Sequence, residues 1–428
     1  MTFFLDRPLI SQVIYDLMCR CGRDLQKTSV ADPLLNLLLT KKLCTQEGEQ
    51  APLEINISCV VKKIVHEDGK AVALETNKGN VKLGNAKLIL AMGVLPPTTL
   101  MLNSFPSSSF SQLAGIGTRY TAHFRSSVLA RLPRNLYHDL KKKISGKIEV
   151  AAMHIPGLSP HSKRQFHIQI SAFLDDTPLV DIQNTLHQFP DVLPAPSIEQ
   201  LSSSKDPPHI IFFCKTIGGL DHTNKNNWFC LNSDVPSNDE IINNNNTDVT
   251  CNTTMQVVLN DTDRQLWDTM DESTFAVLKR LALCDHPDDS CQLEFWHSED
   301  SHSSTQGRWL KDPPPTSQIR RRVLVHPAST MWIGDDDHEP SPVDLDYRFR
   351  GVENVYLTGG ALWPTAGSWN PTCTMTALAI NLADKLLTNF DNNNNNNNND
   401  TNNTDIDNSN DNVQPGYNYE VMNKYSHL

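Results

Sequence analysis

The chain has 428 residues, room for two or three domains, and its 39% hydrophobic and 20% charged residues are the balance of a protein that buries a core. A formal net charge of −12 argues against nucleic acid or an anionic membrane surface as a partner, since both demand a basic face. No apolar run reaches the ~18 residues of a membrane span. The start, "MTFFLDRPLISQVIYDL", lacks a basic segment leading into an apolar block, so no secretory signal is expected. The 10 cysteines form no CxxC pair, so a cytoplasmic, reducing location without a zinc framework is the expectation.

Residues 53–92 predict a small sheet from "LEINISCVVKKIVHED", "AVALET" and "VKLGNAKLILAMG", punctuated by Asp-Gly and Lys-Gly-Asn turns. "LPPTTLMLNSF" predicts a short helix with prolines at its front. Between about 145 and 260, "KIEVAAMHI", "RQFHIQISAFL", "HIIFFCKTIGGL" and "MQVVLN" predict a second, mostly antiparallel sheet joined by long polar loops. "DTDRQLWDTMDESTFAVLKRLAL" reads as an amphipathic helix, with Leu266, Trp267, Met270, Phe275, Leu278 and Leu281 near helical spacing. Residues 298–316 read as loop. "VYLTGG" is a short buried strand running into a glycine turn. "SWNPTCTMTALAINLADKL", Ser368–Leu386, is a helix with Asn370 at its N-cap and Pro371 at its first position. Its Met375, Leu378, Ala379, Leu382 and Leu386 share one face. From Asp391 on, an asparagine run and an Asn/Asp tail have nothing to bury, and disorder is expected.

Two readings of Asn370 stand side by side. It is a plain N-cap, or it opens a helix whose positive end and free N–H groups receive an anionic group such as a reduced flavin ring or a phosphate. His326, in "HPASTMWIG", is the titratable residue of interest upstream. The run Asp335-Asp336-Asp337-His338 has metal-binding residue types, but consecutive side chains cannot all reach one ion, so a solvated loop and no metal are expected.

"HPASTMWIG" followed by "SPVDLDYRFRGVENVYLTGGALWPTAGSWNPTCTMTALAINLADKLL" resembles the C-terminal signature of the glucose–methanol–choline (GMC) oxidoreductases. His326, Thr330, Gly334, Val343, Asp344, Arg348, Gly351, Val352, Asn354 and Asn370 stand at the family's positions; Ser329 replaces a glycine and Ile333 a methionine. The form around Gly359 is similar to a gluconate- or fructose-dehydrogenase-like branch. "KLILAMGVLPPTTLMLNS" and "GIGTRYTAHF" resemble upstream family segments, with Ala122 in place of an aspartate. The likeness covers about residues 28–125 and 255–390. The family's βαβ unit with G-x-G-x-x-G, followed about 20 residues on by an acid, is not found in the sequence.

The resemblance implies an α/β chain (α+β overall). A partial, Rossmann-like FAD-binding domain would comprise 1–125 and 320–390, a substrate domain with a mostly antiparallel sheet 126–319, and a disordered tail 391–428. It implies FAD as cofactor and an alcohol or sugar as substrate, oxidised at a CH–OH group with hydride passing to flavin N5. His326 would be the base, and Asn370 would orient the substrate oxygen. Val61, Gly93, Gly359, Gly360, Ala361, Pro371 and Thr372 would line the cofactor. A plain core valine is an equal reading of Val61, and Gly93 is either a phosphate-side turn or a strand-end turn. His123 matches a family Asp-His pair and is expected to be structural. The missing nucleotide unit implies a separate N-terminal segment completing the FAD site. The alternative is a non-catalytic remnant or gene fragment that acts as a binding or scaffold module.

Overall fold

A computed structural model describes residues 55–134, 149–174, 197, 200, 209–235, 248–282, 291–298, 306–335 and 341–398. Helices and mostly antiparallel strands mix, as the sequence predicts. Strands β1 (Val61–Glu67), β2 (Lys70–Thr76) and β3 (Gly79–Lys82) make a three-stranded meander. The tight turn between the first two comes from Asp68 and Gly69, both at positive φ. Next in the chain come β4 (Leu88–Leu90) and helix α1 (Leu95–Ser104), whose Pro96 and Pro97 need no intrahelical N–H acceptor in the first turn.

The strands β5 (Thr121–Pro133), β6 (Glu149–Leu158), β7 (Gln165–Leu174) and β8 (His209–Gly219) follow. β9 (Trp228–Leu231) and β10 (Thr253–Gln256) form their own hairpin-like pair. Helix α2 (Asp261–Leu281) precedes β11 (Glu294–Ser298), β12 (Gly307–Leu310), the single turn α3 (Thr316–Ile319) and β13 (Arg320–Ala328). Strand β14 (Val355–Leu357) and helix α4 (Thr372–Asn398) complete the described residues.

A seven-stranded sheet holds the centre, in the order β12-β11-β5-β8-β7-β6, with β13 also bonded to β5. β5 is its hub. β8 pairs along the full length of one edge, while β13 and β11 share the other. One sheet face presents Phe124, Val128, Ile168, Ile170, Phe212 and Cys214 to Leu266, Trp267, Met270 and Leu278 of α2. The approach is close, since a Cβ on Gly218 would meet Met270 Sδ at 2.6 Å. Asn260 and Asp263 cap the helix reciprocally.

Several sequence expectations need correction. "MQVVLN" does not join the large sheet; its first residues pair with β9. Residues 298–316 are not all loop, because β12 folds back on β11 and α3 begins at Thr316. α4 starts at Thr372, one residue later than Asn370-Pro371 signals, and the Pro371 carbonyl accepts from Met375 N–H. The helix also runs through the first asparagines to Asn398, because each added residue closes one more backbone hydrogen bond once a helix exists. Residues 399–428 of the expected tail, and Asp336–His338 of the acidic run, lie outside the described residues. Cys291 is disulfide-bonded, where thiols were expected. The expected domain boundary at residue 125 falls inside β5.

β4 and β14 form a parallel pair, Val355 beside Leu88 through Leu357 beside Leu90. Both strands end at glycine turns, Gly93 at φ 79° and Gly359 at φ 97°. Val61, the first residue of β1, is half-buried on the separate meander. No helix among the described residues is long and apolar enough to cross a membrane.

Candidate active site

The sheet face away from α2 is polar although it is buried. Along β7, His167, Gln169 and Ser171 alternate with Phe166, Ile168 and Ile170, and all six are buried. β5 contributes His123, Arg125 and Ser127 to this face, β8 contributes Lys215, and β6 contributes His154. Cross-strand register sets them side by side: Arg125 opposite Ile217, Ser127 opposite Lys215, Lys215 opposite Gln169 and Gln169 opposite His154. Residues opposite one another share a face.

His326 reaches this face through a distorted strand. The pairing of β13 with β5 slips between Arg321 and Val325 and again before Ala328. His326 sits at φ 55° and Ser329 at φ 73°, left-handed conformations that side chains seldom adopt. Neighbouring contacts hold the segment. Ser329 Oγ meets Thr121 Oγ1 at 2.8 Å, Thr330 Oγ1 meets Thr98 Oγ1 at 2.8 Å, and the N–H groups of Ser329, Met331 and Ile333 donate to the carbonyls of Gly360, Ala361 and Leu362. Gly360 lies directly beneath, where a Cβ would stand 2.9 Å from the Pro327 carbonyl oxygen. A side chain there would push the histidine-bearing backbone away.

The imidazoles of His326 and His123 meet edge to face, Nδ1 to Nδ1 at 2.9 Å, and His123 Nε2 lies 2.9 Å from the Ala366 carbonyl oxygen. A carbonyl only accepts, so His123 Nε2 carries the proton and donates. Neutral His123 then has a bare Nδ1, which accepts from His326 Nδ1–H. His326 Nε2 is left with its lone pair, the state a general base needs. Burial first, then His123, Lys215 and Arg125, pull the pKa of His326 down to about 4. Burial also lowers His123, against the hydrogen bond to Ala366 that supports its charged form. His123 is therefore hydrogen-bonded to His326, where the sequence assigned it only a structural place.

The segment between η-turn residues 360–362 and α4 lies across the polar face. Trp369 stacks on His167 with ring centres 4.7 Å apart and planes 7° off parallel. Ala366 receives His123, and a Cβ on Gly219 would meet the Gly367 carbonyl oxygen at 2.4 Å. Asn370 follows Trp369 at the end of this segment. Asn370 is half-buried, and its side chain makes no hydrogen bond. The first N–H groups of α4, at Thr372 and Cys373, have no intrahelical acceptor and stand exposed. Gly93 also faces open space, whereas Gly359 lies against the Gly93 carbonyl, with Ala361 buried beside it.

These groups fit the ring end of a flavin: an exposed helix N-terminus and two adjacent glycine turns beyond the carboxyl ends of parallel strands. Nothing among the described residues supplies the glycine-rich phosphate cradle of a dinucleotide site. Val61, on the meander, is not joined to this cluster by any hydrogen bond. Sequence reading missed His167, Gln169, Lys215, Arg125 and Trp369. Strict alternation in "QFHIQIS" was the available signal, because it marks a strand with one polar face.

Residues 242–379 match the family model of the GMC oxidoreductases, C-terminal domain. No curated protein matches the sequence. Among solved structures, pyridoxine 4-oxidase from Mesorbium loti aligns at 13% identity with a TM-score of 0.38, covering 76% of this chain and 57% of that one. An FAD-dependent oxidoreductase from Chaetomium thermophilum aligns at 12% identity with a TM-score of 0.41, covering 78% and 61% respectively. The chain thus spans about three fifths of the length of these structures.

Proposed function

From the match of residues 242–379 to the GMC oxidoreductase family model, we propose that the chain takes part in FAD-dependent oxidation of a CH–OH group in an alcohol or sugar. The observation that carries this reading is the Ala366–His123–His326 chain, which leaves His326 Nε2 as a lone-pair acceptor on the polar face. In this reading His326 Nε2 takes the substrate hydroxyl proton, and the imidazolium keeps its Nδ1–H donated to His123. Asn370 donates its amide to the substrate oxygen and fixes the carbinol in one orientation. Thr372 and Cys373 N–H groups would hold the negative edge of a flavin ring, Pro371 having no N–H to give. Gly93, Gly359, Gly360 and Ala361 would allow close approach of backbone to the cofactor, and Val61 would belong to its adenine side. The flavin, when bound, supplies the acceptor for hydride leaving the carbinol carbon. A separate dinucleotide-binding segment would complete the grip on the ADP half.

The test is anaerobic mixing of alcohols with the FAD-reconstituted chain, alone and co-expressed with a dinucleotide-binding segment, while oxidised-flavin absorbance is followed. Reduction is expected in the completed form. His326→Ala should slow it by roughly 10²-fold with flavin still bound. Equal reduction rates without His326 would sink the assignment of the base. No reduction in any form would favour a binding module over an enzyme.

A further inference from the structure

Three cations, Arg125, Lys215 and Arg321, sit on the polar sheet face one step along the strands from His326 and His123. Arg321 lies directly opposite Arg125 in the β13–β5 ladder, and Lys215 lies opposite Ser127, two residues from Arg125 on the same face. All three are half-buried. None of them makes an ion pair among the described residues, and Arg125 Nε is buried without any hydrogen-bond partner there. Like charges set opposite one another repel, and a half-buried cation without a counter-ion is costly. Three other half-buried arginines do have carboxylate partners: Arg164 with Asp263, Arg320 with Asp271 and Arg131 with Glu294. The polar face breaks that pattern.

More of the same face is also unsatisfied. His167 Nδ1, Gln169 Oε1, Ser171 Oγ and Ser368 Oγ are buried with no hydrogen-bond partner. His167, Gln169 and Ser171 are fully enclosed. Gln169 Nε2 donates to His167 Nε2, which leaves the proton of neutral His167 on the unpartnered Nδ1. Unmet polar atoms, among them the His167 Nδ1–H donor and the Gln169 Oε1 acceptor, and three cations thus share one surface, and no carboxylate among the described residues pairs with those cations. Past Ser127 and Arg321 the face continues into a cavity of about 220 Å³ that Phe213, Gln318 and Trp296 help to line.

We propose that Arg125, Lys215 and Arg321 form an anion subsite, and that the molecule oxidised at His326 is an alcohol carrying a carboxylate or phosphate. Successive same-face positions on a strand are about 6.7 Å apart, so the anionic group sits about that far from the carbinol. That spacing suits five or so bonds between the two groups. The subsite itself stands on the three cations; its role toward an oxidised substrate rests on the reading of His326 as base. The anion also acts on that base. Burial contributes most to the depressed pKa of His326, and Lys215 and Arg125 add to it. A bound anion cancels the part due to these two cations and makes His326 more basic when the substrate is present. Lys215 and Arg321 are themselves held below their usual values by burial and by Arg125, as expected where a counter-ion is lacking.

The test is calorimetric titration of the full chain with 6-hydroxyhexanoate and with 1,6-hexanediol, which differ in one terminal carboxylate. The acid should bind at least tenfold more tightly, and added salt should erode the difference. Lys215→Met and Arg125→Gln should each remove most of that preference. Lys215→Met should melt no lower than the parent, because it deletes an unpaired charge, and this separates lost binding from lost folding. Competition by acetate and by inorganic phosphate assigns the anion: the stronger competitor identifies a carboxylate or a phosphate ester. Equal binding of acid and diol, or an intact preference in both variants, overturns the subsite. If the preference holds while no alcohol reduces the flavin, the subsite stands and the oxidoreductase reading falls.

Discussion

Ser329 stands at φ 73°, where the GMC pattern has a glycine. Its hydroxyl contact with Thr121 offsets part of the cost of that conformation. Ser329→Gly and Ser329→Ala both lose the hydroxyl, but only alanine keeps a Cβ in the left-handed region. The alanine variant should therefore be less stable than the glycine variant by about 1 kcal/mol, read from urea midpoints. Equal midpoints would mean the backbone relaxes out of that region. The histidines give a second expectation. His326 and His167 are both pushed to about 4 from 6.5, burial being the first cause for each. Below pH 6.5 the unfolded chain takes up protons that the folded chain refuses. The stability these groups contribute is full above pH 6.5 and falls as pH drops toward 4. Melting temperature measured from pH 7.5 to 4.5 should decline, and His167→Gln should flatten the decline. An unchanged slope in the variant would show that His167 is not among the groups responsible. His326 and Asn370 were singled out in the sequence because they lie in a long ordered signature. His167 and Lys215 were not, since their significance lies in which strands stand next to each other.

At the scale of elements, α2 was readable because its apolar residues recur at helical spacing and Asn260 precedes them. Asn260→Ala should cost about 1 kcal/mol by removing one half of the reciprocal cap, measured by thermal or urea unfolding. β5 was not readable. Both of its faces are covered, one by α2 and the other by the 364–369 segment, so "TAHFRSSVLARLP" shows no clean alternation. The close contact of Gly219 with Gly367 gives an element-scale test. Gly219→Ala should lift the 364–369 segment off the sheet, unstack Trp369 from His167 and redshift tryptophan emission, leaving far-ultraviolet circular dichroism nearly unchanged. An unshifted emission would mean the segment is held by its other contacts alone.

Over the whole molecule, Asn354 ties the ends of the described chain together. Its amide donates to the Ala71 and Ala86 carbonyls, and its oxygen accepts from Ala71 N–H at 2.8 Å. The side chain is buried, so Asn354→Ala leaves the Ala71 N–H without a partner and should cost about 2 kcal/mol or more. Chemical unfolding would show a lower midpoint, with the β1–β3 meander most affected in hydrogen exchange. The β1–β3 meander and the β6–β8 part of the large sheet could be read from runs of β-forming residues. That β13 belongs to the same sheet as β8 could not, because hydrogen bonding between strands so far apart leaves no local trace.

The hub position of β5 also has a kinetic side. Every partner strand of β5 comes later in the chain, at β8, β11 and β13. During synthesis the apolar run Val128–Ala130 leaves the ribosome with both hydrogen-bonding edges open and waits for segments not yet made. Closing such distant loops before any contact rewards them makes folding slow. An open, apolar strand is at the same time a template for pairing between molecules. The strand on which the His326-bearing segment rests is thus the one most exposed to aggregation while the chain is being made, and the yield of folded protein should depend on how quickly β8 arrives to cover it.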